Sequence, residues 1–242
     1  MPIYNNNTIY EQIVYKYKKD FSNNFNNILV LLSYELGSGV HGKIYFGLDP
    51  KSKKPLVVKV YEKNHFNHFS KEVQILRKLE KYEIFPKIIK QATYELGDYF
   101  DETLIGIDLN KLFKFENKFF NPITILNISI DILTCLSYLN EVRIVYCDLK
   151  GDNFIWNCFD INNNESKIIL IDFSCSVESN RNLKAKKVGC NSYSSLTQTL
   201  EIMPNSKDEI ESLIYALFDL SNIKLPWFEK DFFDSDDKKL CF

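Results

Sequence analysis

Three strand-like runs follow one another between residues 28 and 62. They read NILVLLSYELG, KIYFGL and PLVVKVYE, and each is rich in β-branched or aromatic residues and bounded by Gly, Pro or Asp. Short runs of this kind, separated by turn residues, predict three antiparallel strands. This part of the chain is therefore predicted to form a small antiparallel sheet.

The next segments extend this sheet and add one helix. Residues 69 to 82 carry apolar positions at helical spacing, and residues 85 to 106 indicate two weaker strands around Gly97. An antiparallel sheet with one helix is therefore predicted for about residues 28–103. Upstream of it, residues 8–20 are compatible with one short helix.

The remainder, about residues 104–242, is predicted to be mainly helical. Asn121 and Pro122 provide an N-cap and a first-turn proline for a long helix. The apolar stripe of this helix consists of Ile125, Ile128, Ile132, Cys135, Leu136 and Leu139. A later helix, residues 206–220, begins with a predicted capping box of Ser206 and Glu209. Its predicted apolar face consists of Ile210, Leu213, Ile214 and Leu217. The fold class is therefore α+β.

Composition limits the partners and the compartment. A net charge of −2 and a pI of about 6.0 give no electrostatic signature of a nucleic-acid or membrane-surface binder. Apolar runs such as residues 28–32 are far shorter than the roughly 18 residues that would indicate a membrane span. The six cysteines form no CxxC pair, and the N-terminus lacks the layout of a signal peptide. We expect an intracellular, cytoplasmic protein, in the host cytoplasm if the source is viral, with neither nucleic acid nor membrane as partner.

Three of the eight glycines, Gly37, Gly39 and Gly42, fall within the six residues GSGVHG between two predicted strands. Without Cβ atoms the backbone can approach a phosphate chain closely and direct its N–H groups at the oxygens. Because the segment joins two strands and does not open a helix, it favours a nucleotide-covering flap over a dinucleotide fold. A glycine hairpin without a ligand is the alternative.

Lys59 lies in the middle of the apolar strand LVVKV, where an unpaired ammonium would cost several kcal/mol to bury. On the following predicted helix, Glu72 shares a stripe with Ile75, Leu76 and Leu79 at spacings of three, four and seven residues. Glu72 is therefore the predicted counter-ion of Lys59. The alternative is a lysine that extends to the sheet edge and a glutamate at the margin of the helix face.

The stretch IVYCDLKGDNFIW, residues 144–156, places Asp148, Lys150 and Asn153 between two apolar runs. Asp148 can accept the proton of a substrate hydroxyl, Lys150 can neutralise a transferring phosphoryl group, and Asn153 can hold a magnesium ion. Asp172 follows the apolar run IILI, from which a carboxylate can reach the same metal. Each feature alone also occurs in solvated loops, but their order after a glycine segment and a strand lysine argues against coincidence.

At these positions the chain resembles the protein kinases, and within them the casein kinase 1 and vaccinia-related kinase group. The resemblance spans about residues 30–227 and rests also on LIGIDLNKLFKF, on NSYSS and on LPW. It implies a single bilobal kinase domain over residues 1–242, shortened at its C-terminus, that transfers the γ-phosphate of ATP to protein serine or threonine with Mg²⁺ as cofactor.

The resemblance also assigns site residues. Lys59 would hold the α and β phosphates, Glu72 would orient Lys59, Asp148 would be the catalytic base beside Lys150, and Asn153 and Asp172 would bind metal. The remaining ATP-binding positions would be Leu36, Gly37, Ser38, Gly39, Val40, Gly42 and Ile44.

Four positions depart from the kinase pattern. Tyr146 replaces the usual His, which packs beneath the metal-binding aspartate, and a Tyr can fill the same space. Cys147 replaces an Arg that often pairs with a phosphate on the activation loop. The absence of this Arg implies loss of regulation by phosphorylation and not loss of the chemistry. Ser174 replaces a glycine, and Glu209 stands where an aspartate usually braces the catalytic loop.

Two hypotheses stay open: an active Ser/Thr kinase, and a pseudokinase that serves as a nucleotide-binding or scaffolding module. Only fifteen residues follow LPW, so either the helical lobe is minimal or a partner covers it. The basic run RNLKAKK, residues 181–187, would suit acidic or already phosphorylated protein substrates. An ordinary solvated charge run is the alternative.

Overall fold

The structure is a computed structural model of the 242-residue chain. It describes residues 21–25, 28–39, 42–49, 51, 55–62, 65–94, 97–103, 106–115, 120–157, 167–179 and 192–228. The predicted helix at residues 8–20 and the basic run at residues 181–187 lie outside these described residues. Two compact units are present, Met1–Arg77 with Pro86–Leu104, and Lys78–Phe85 with Ile105–Phe242.

The first unit contains a six-stranded antiparallel sheet in the order β1-β2-β3-β4-β6-β5. Its strands are β1 (Phe21–Phe25), β2 (Ile28–Gly39), β3 (Gly42–Leu48), β4 (Pro55–Tyr61), β5 (Ile88–Tyr94) and β6 (Gly97–Thr103). The three strands expected from residues 28–62 are confirmed as β2, β3 and β4, and the weaker pair around Gly97 is confirmed as β5 and β6.

Helix α1 (Phe66–Lys78) follows β4 in the chain. It begins three residues before the predicted range 69–82 and ends at Lys78, four residues before the end of that range. The residues after it form a turn in which Tyr82 N–H donates to the Leu79 carbonyl. Phe69 packs edge-on against Tyr61 of β4 at 5.8 Å between ring centroids. The inward stripe of α1 includes a carboxylate, Glu72, among apolar side chains, as its spacing predicted.

The second unit is mainly helical. Its helices are α2 (Leu109–Phe115), α3 (Pro122–Glu141), α4 (Leu196–Thr199) and α5 (Ser206–Leu220). Its short strands are β7 (Gly106–Asp108), β8 (Ile144–Val145), β9 (Phe154–Asn157), β10 (Ile168–Leu170) and β11 (Val177–Glu178). They form a three-stranded sheet, β10-β9-β7, and a pair, β11-β8. Turns of 3₁₀ helix lie at Gly151–Asn153 and Pro226–Phe228. An α+β fold with the sheet in the N-terminal region is confirmed.

Helix α3 begins as the sequence predicts. The Asn121 side chain accepts from the Thr124 N–H at 2.9 Å, and Pro122 occupies the first turn. The buried side chains are Ile128, Ile132, Cys135, Leu136 and Leu139, while Ile125 is half-buried. Length and composition alone would allow α3 to cross a membrane, but the core helix of a globular protein meets the same criterion. Its buried stripe and the bond from Ile168 N–H to Asp131 tie it into the second unit.

Helix α5 corrects two predictions. Its capping box consists of Asn205 and Asp208, not Ser206 and Glu209, so the helix is capped one residue earlier. The predicted apolar face is correct only in part: Leu213 is buried and Leu217 is half-buried, but Ile210 and Ile214 are 43% and 45% exposed. The full set of buried side chains is Asp208, Glu209, Ser212, Leu213, Tyr215, Ala216 and Leu220. The helix is turned this way because the Glu209 carboxylate binds backbone N–H groups, which a hydrophobicity pattern does not register.

Candidate active site

The glycine segment lies at the hairpin between β2 and β3. A Cβ atom at Gly37 or Gly39 would meet no atom within 4 Å, whereas a Cβ atom at Gly42 would lie 2.0 Å from the Val60 carbonyl oxygen. Gly42 is therefore needed for the close approach of β4, and Gly37 and Gly39 leave open space above the strand ends. Val40 lies outside the described residues.

The other ATP-binding positions named above flank this hairpin. Leu36 and Ile44 are half-buried and Ser38 is exposed. Ile44 is the register partner of Lys59 in the β3–β4 pairing. The hairpin and the strand lysine therefore belong to one continuous part of the sheet.

The ion pair predicted for the first unit is present. Lys59 Nζ donates to both carboxylate oxygens of Glu72, at 2.9 and 2.8 Å, and both side chains are buried. Tyr61 O–H also donates to Glu72. A buried carboxylate with two donors holds the lysine in one orientation. This geometry suits the orientation of a lysine toward phosphate, a role that stays a prediction.

In the second unit, the loop after β8 brings Asp148, Lys150 and Asn153 together. Asp148 Oδ2 accepts from Lys150 Nζ at 2.7 Å and from Asn153 Nδ2 at 2.8 Å, and the Asp148 backbone carbonyl accepts from the same amide at 2.9 Å. Asp148 and Asn153 are buried, whereas a quarter of the Lys150 side chain is exposed. The predicted triad is therefore one hydrogen-bonded cluster.

Cys147, directly before Asp148, adopts a left-handed backbone with φ 70°. For a residue with a Cβ atom this conformation costs roughly 1–2 kcal/mol, so the surroundings must hold it. The Glu209 carboxylate, from α5, accepts the Cys147 N–H at 2.9 Å. The predicted brace from α5 to the loop is thus present, with glutamate in place of the usual aspartate.

Burial raises the pKa of the Glu209 carboxyl to about 7, and the backbone N–H groups of Cys147 and Tyr146 lower it only in part. A glutamate in the unfolded chain titrates near pH 4.3, so the folded protein binds more protons than the unfolded one between there and pH 7. The stability that this group contributes is therefore present at low pH and is lost as pH rises through about 7.

Glu209→Gln should remove this pH dependence, because the amide keeps a carbonyl acceptor but carries no charge to desolvate. Relative to the wild type, its melting temperature should rise between pH 5 and pH 8 by on the order of 5 °C. Thermal unfolding in a pH series measures the difference. The exposed Glu201→Gln is the matched control, and a Glu209→Gln difference that stays constant over this range would contradict the assignment.

The metal-binding candidates Asn153 and Asp172 are adjacent in the second unit. The Asn153 backbone carbonyl accepts from the Ile171 N–H at 3.2 Å, which places Asp172 one residue from a direct hydrogen bond. Asp172 also has a left-handed backbone, with φ 58°, and its Oδ1 accepts from the Ser174 N–H at 3.3 Å. The backbone segments that carry the two residues expected to bind metal are therefore held side by side.

Tyr146 occupies the space expected for the missing histidine. It is fully buried, and its O–H donates to the carbonyl of Ile171, the residue before Asp172. Its ring contacts Phe173 edge-on at 5.4 Å, and Phe85 also contacts Phe173 edge-on, at 5.8 Å. Tyr146, Phe173 and Phe85 thus form an aromatic column of edge-on contacts that includes the residue after Asp172.

The donor set fits Mg²⁺ better than a transition metal. Magnesium prefers oxygen ligands and is usually bound by one or two carboxylates together with substrate phosphates. Asp172 supplies carboxylate oxygens, and Asn153 offers its carbonyl oxygen because its amide nitrogen donates to Asp148. Among the described residues there is no group of three or more His, Cys, Asp or Glu that could hold a metal by itself.

One site residue was missed by the sequence reasoning. Gln198 of α4 is buried, and its Nε2 donates to the Cys147 carbonyl at 3.1 Å. The pattern of Ser195 followed three residues later by Gln198 is a capping-box signal that could have been recognised. Nothing in the pattern indicates the contact with a loop fifty-one residues away.

The chain is similar in sequence to known proteins. Residues 32–209 match the protein kinase domain. The chain is also 24% identical over 213 residues to a probable casein kinase I homolog of Encephalitozoon cuniculi, a match that covers 82% of this chain and 67% of that relative. The matched range contains the glycine segment, the ion pair, the Asp148 loop and Glu209.

Proposed function

The chain belongs to the protein kinase family and is casein kinase I-like, and we propose that within this family it is a catalytically active serine/threonine kinase. Its reaction would be transfer of the ATP γ-phosphate to serine or threonine hydroxyls of protein substrates. Asp148 would act as the base, Lys150 would neutralise the transferring group, and Lys59 would hold phosphate oxygens.

The observation that carries this proposal is the setting of Asp148. Both hydrogen bonds to its carboxylate reach Oδ2, and among the described residues none reaches Oδ1. The Oδ1 atom can therefore accept the proton of a substrate hydroxyl, while Oδ2 fixes the direction of the group. Lys150 is partly exposed beside it and can face the phosphoryl group that is transferred.

Each unit by itself contains residues suited to phosphate or metal binding. In the first unit, Lys59 is kept in one orientation by Glu72, and the open backbone at Gly37 and Gly39 can approach phosphate. In the second unit, Asn153 and Asp172 would hold Mg²⁺. When bound, the magnesium would neutralise charge on the phosphates and raise the reactivity of the γ-phosphoryl group.

A pseudokinase that binds nucleotide or serves as a scaffold is the second candidate. One observation favours it: Ser174 is buried where the family has glycine, close to Asp172, whose Oδ1 accepts the Ser174 N–H. The serine adds a Cβ atom and a hydroxyl at a position where the glycine backbone would be more flexible. The active kinase is preferred because the strand lysine, the catalytic aspartate and the metal-binding aspartate are all retained.

The proposal also covers the substrate class, the compartment and a partner, and the residues that suggest the substrate class lie outside the described ranges. The basic run 181–187 would favour acidic or already phosphorylated protein segments. The cytoplasm would be the site of action. Residues 229–242 lie outside the described residues, and a partner covering the helical unit would be compatible with the exposed Ile210, Ile214 and Phe218 of α5.

The test is transfer of radiolabelled phosphate from ATP to generic acidic and basic proteins, with Mg²⁺ or with a chelator. Acid hydrolysis then identifies the labelled amino acid. Magnesium-dependent labelling of serine or threonine, lost in Asp148→Asn, would support the active kinase. ATP binding without transfer, measured by thermal stabilisation, would instead support the pseudokinase.

Activity should not depend on phosphorylation of the chain itself. Cys147 carries no charge that a loop phosphate would need to compensate, and the loop is held by Glu209 and Gln198. We expect protein from a kinase-free host to keep its initial rate within about twofold after phosphatase treatment, since no phosphate contact would be lost. Mass spectrometry must confirm that the treated protein carries no phosphate.

The serine hydroxyls just before α4 support the expectation that activity does not depend on phosphorylation. Ser194 and Ser195 are buried, and Ser195 Oγ accepts the Gln198 N–H at 3.1 Å. Ser192 is half-buried. A rate that falls by about tenfold or more after phosphatase and returns on rephosphorylation would show that another cation, such as Arg143, performs the missing role.

A further inference from the structure

Gln198 forms a hydrogen-bond network that reaches beyond its own helix. Its Oε1 accepts from the Ser195 N–H at 3.0 Å and from Ser212 Oγ at 3.2 Å, while its Nε2 donates to the Cys147 carbonyl at 3.1 Å. Only 5% of the residue is exposed. These partners define the orientation of the amide, since a backbone N–H can only donate and a carbonyl can only accept.

The capping box explains only half of these contacts. In that motif the side chain at the third helical position reaches back to the N-cap N–H, and here the Oε1 atom of Gln198 does so with Ser195. A glutamate would satisfy the motif equally well. The bond from Nε2 to Cys147 needs an amide donor and lies outside the motif, so it requires a separate explanation.

The bond acts on the residue that precedes the catalytic aspartate. Cys147 has φ 70°, and its N–H is held by Glu209 of α5 at 2.9 Å while its carbonyl is held by Gln198 of α4. The Cys147 carbonyl belongs to the peptide plane that ends at the Asp148 nitrogen. Two buried side chains from two helices therefore hold the two peptide planes on either side of Cys147.

We propose that Gln198 is a positioning residue for phosphoryl transfer. By holding the Cys147 carbonyl it fixes the peptide plane before Asp148, and so the direction in which the Asp148 carboxylate meets a substrate hydroxyl. This inference rests on the proposed kinase activity. It also links the capped turn at Ser195 to the catalytic base through one side chain, so a disturbance of that turn reaches the base.

Gln198→Glu is the discriminating variant because it changes a single donor. The carboxylate keeps the size of the side chain and the acceptor contacts to Ser195 and Ser212, but it places an oxygen against the Cys147 carbonyl. We expect kcat to fall by about tenfold or more, with KM for ATP and for substrate within about twofold of wild type, since positioning acts in the transition state. Ser212→Ala, which removes a hydroxyl of the same network without touching the loop, should stay within about twofold.

The pH profile separates positioning from packing. Protonation of the introduced carboxyl restores a donor toward the Cys147 carbonyl, so the ratio of variant to wild-type kcat should rise as pH falls. The other acidic groups around this network, Glu209 and Glu211 of α5 and Asp148 of the loop, are present in both proteins, so comparing the two pH profiles isolates the introduced carboxyl group. A ratio that is independent of pH would overturn the proposal.

Amide hydrogen exchange tests the clamp without reference to catalysis. In Gln198→Glu, exchange in a peptide covering residues 144–150 should become faster while exchange in α4 stays near that of the wild type. Unchanged exchange in residues 144–150, or an equal effect of Ser212→Ala, would overturn the proposal. A wild type that transfers no phosphate would overturn the proposed function, and faster loop exchange in the variant would then still support the clamp on Cys147.

Discussion

Replacing Asp148 with asparagine should lower kcat for phosphoryl transfer by about 10³-fold, within the range expected for loss of a positioned base. The amide has nearly the same shape but cannot accept the hydroxyl proton. Its oxygen can still accept from Lys150 and from Asn153, the two donors that reach Oδ2 of the carboxylate, so the loop should keep its conformation. Initial rates with saturating ATP and substrate measure the effect.

Binding must be followed in parallel with rate. Thermal stabilisation by Mg-ATP should be similar in Asp148→Asn and in wild type, because phosphate and metal contacts are assigned to other residues. A variant with normal binding and normal transfer would show that the base lies elsewhere. A variant that fails to bind ATP would instead show that Asp148 contributes to the nucleotide site itself.

Lys59→Met should reduce transfer by about 10²- to 10³-fold, as expected for removal of one electrostatic contact to the reacting phosphate chain. Methionine has a similar length and can fill the buried strand position, but it cannot bind an oxyanion. Lys43→Met is a matched control, because Lys43 lies on the neighbouring strand, pairs with Glu35 at 3.2 Å and is exposed. The control should keep wild-type transfer.

Lys59→Met also leaves Glu72 buried without its cation, and this can lower stability independently of catalysis. A double variant, Lys59→Met with Glu72→Gln, removes that buried charge. We expect the double variant to unfold closer to the wild-type temperature and still to lack most of its transfer activity. Recovery of near-normal transfer in either variant would reject the assignment of Lys59 to phosphate.

Local sequence signals predicted the parts of this fold that depend on local physics. The Asn121 cap of α3 follows from a side chain that accepts from the third residue of its own helix. The pairing of Lys59 with Glu72 follows from the cost of burying a lone charge, which leaves few other arrangements. Both features can be inferred because every partner lies close in the sequence or is required by burial.

The errors occur where a polar group governs packing. The apolar residues of α5 predicted a buried face with Ile210 and Ile214, but Glu209 binds the loop and turns those residues outward. Gly42 also has a packing role that the glycine pattern did not indicate, because its missing Cβ makes room for the Val60 carbonyl. The contact of Gln198 with Cys147 depends on the tertiary arrangement of two distant segments, which periodicity does not encode.

The aromatic column of Phe85, Phe173 and Tyr146 has a consequence for chemical inhibition. Some inhibitors would require the Phe173 ring to leave its site, and such a compound must break contacts with both neighbouring rings. At about 0.5–1.5 kcal/mol for each aromatic pair, loss of these two ring contacts alone costs on the order of 1–3 kcal/mol. Affinity for a compound of this kind would be reduced by about 5- to 150-fold. Inhibitors that leave Phe173 in place are therefore the more productive starting chemistry for this protein.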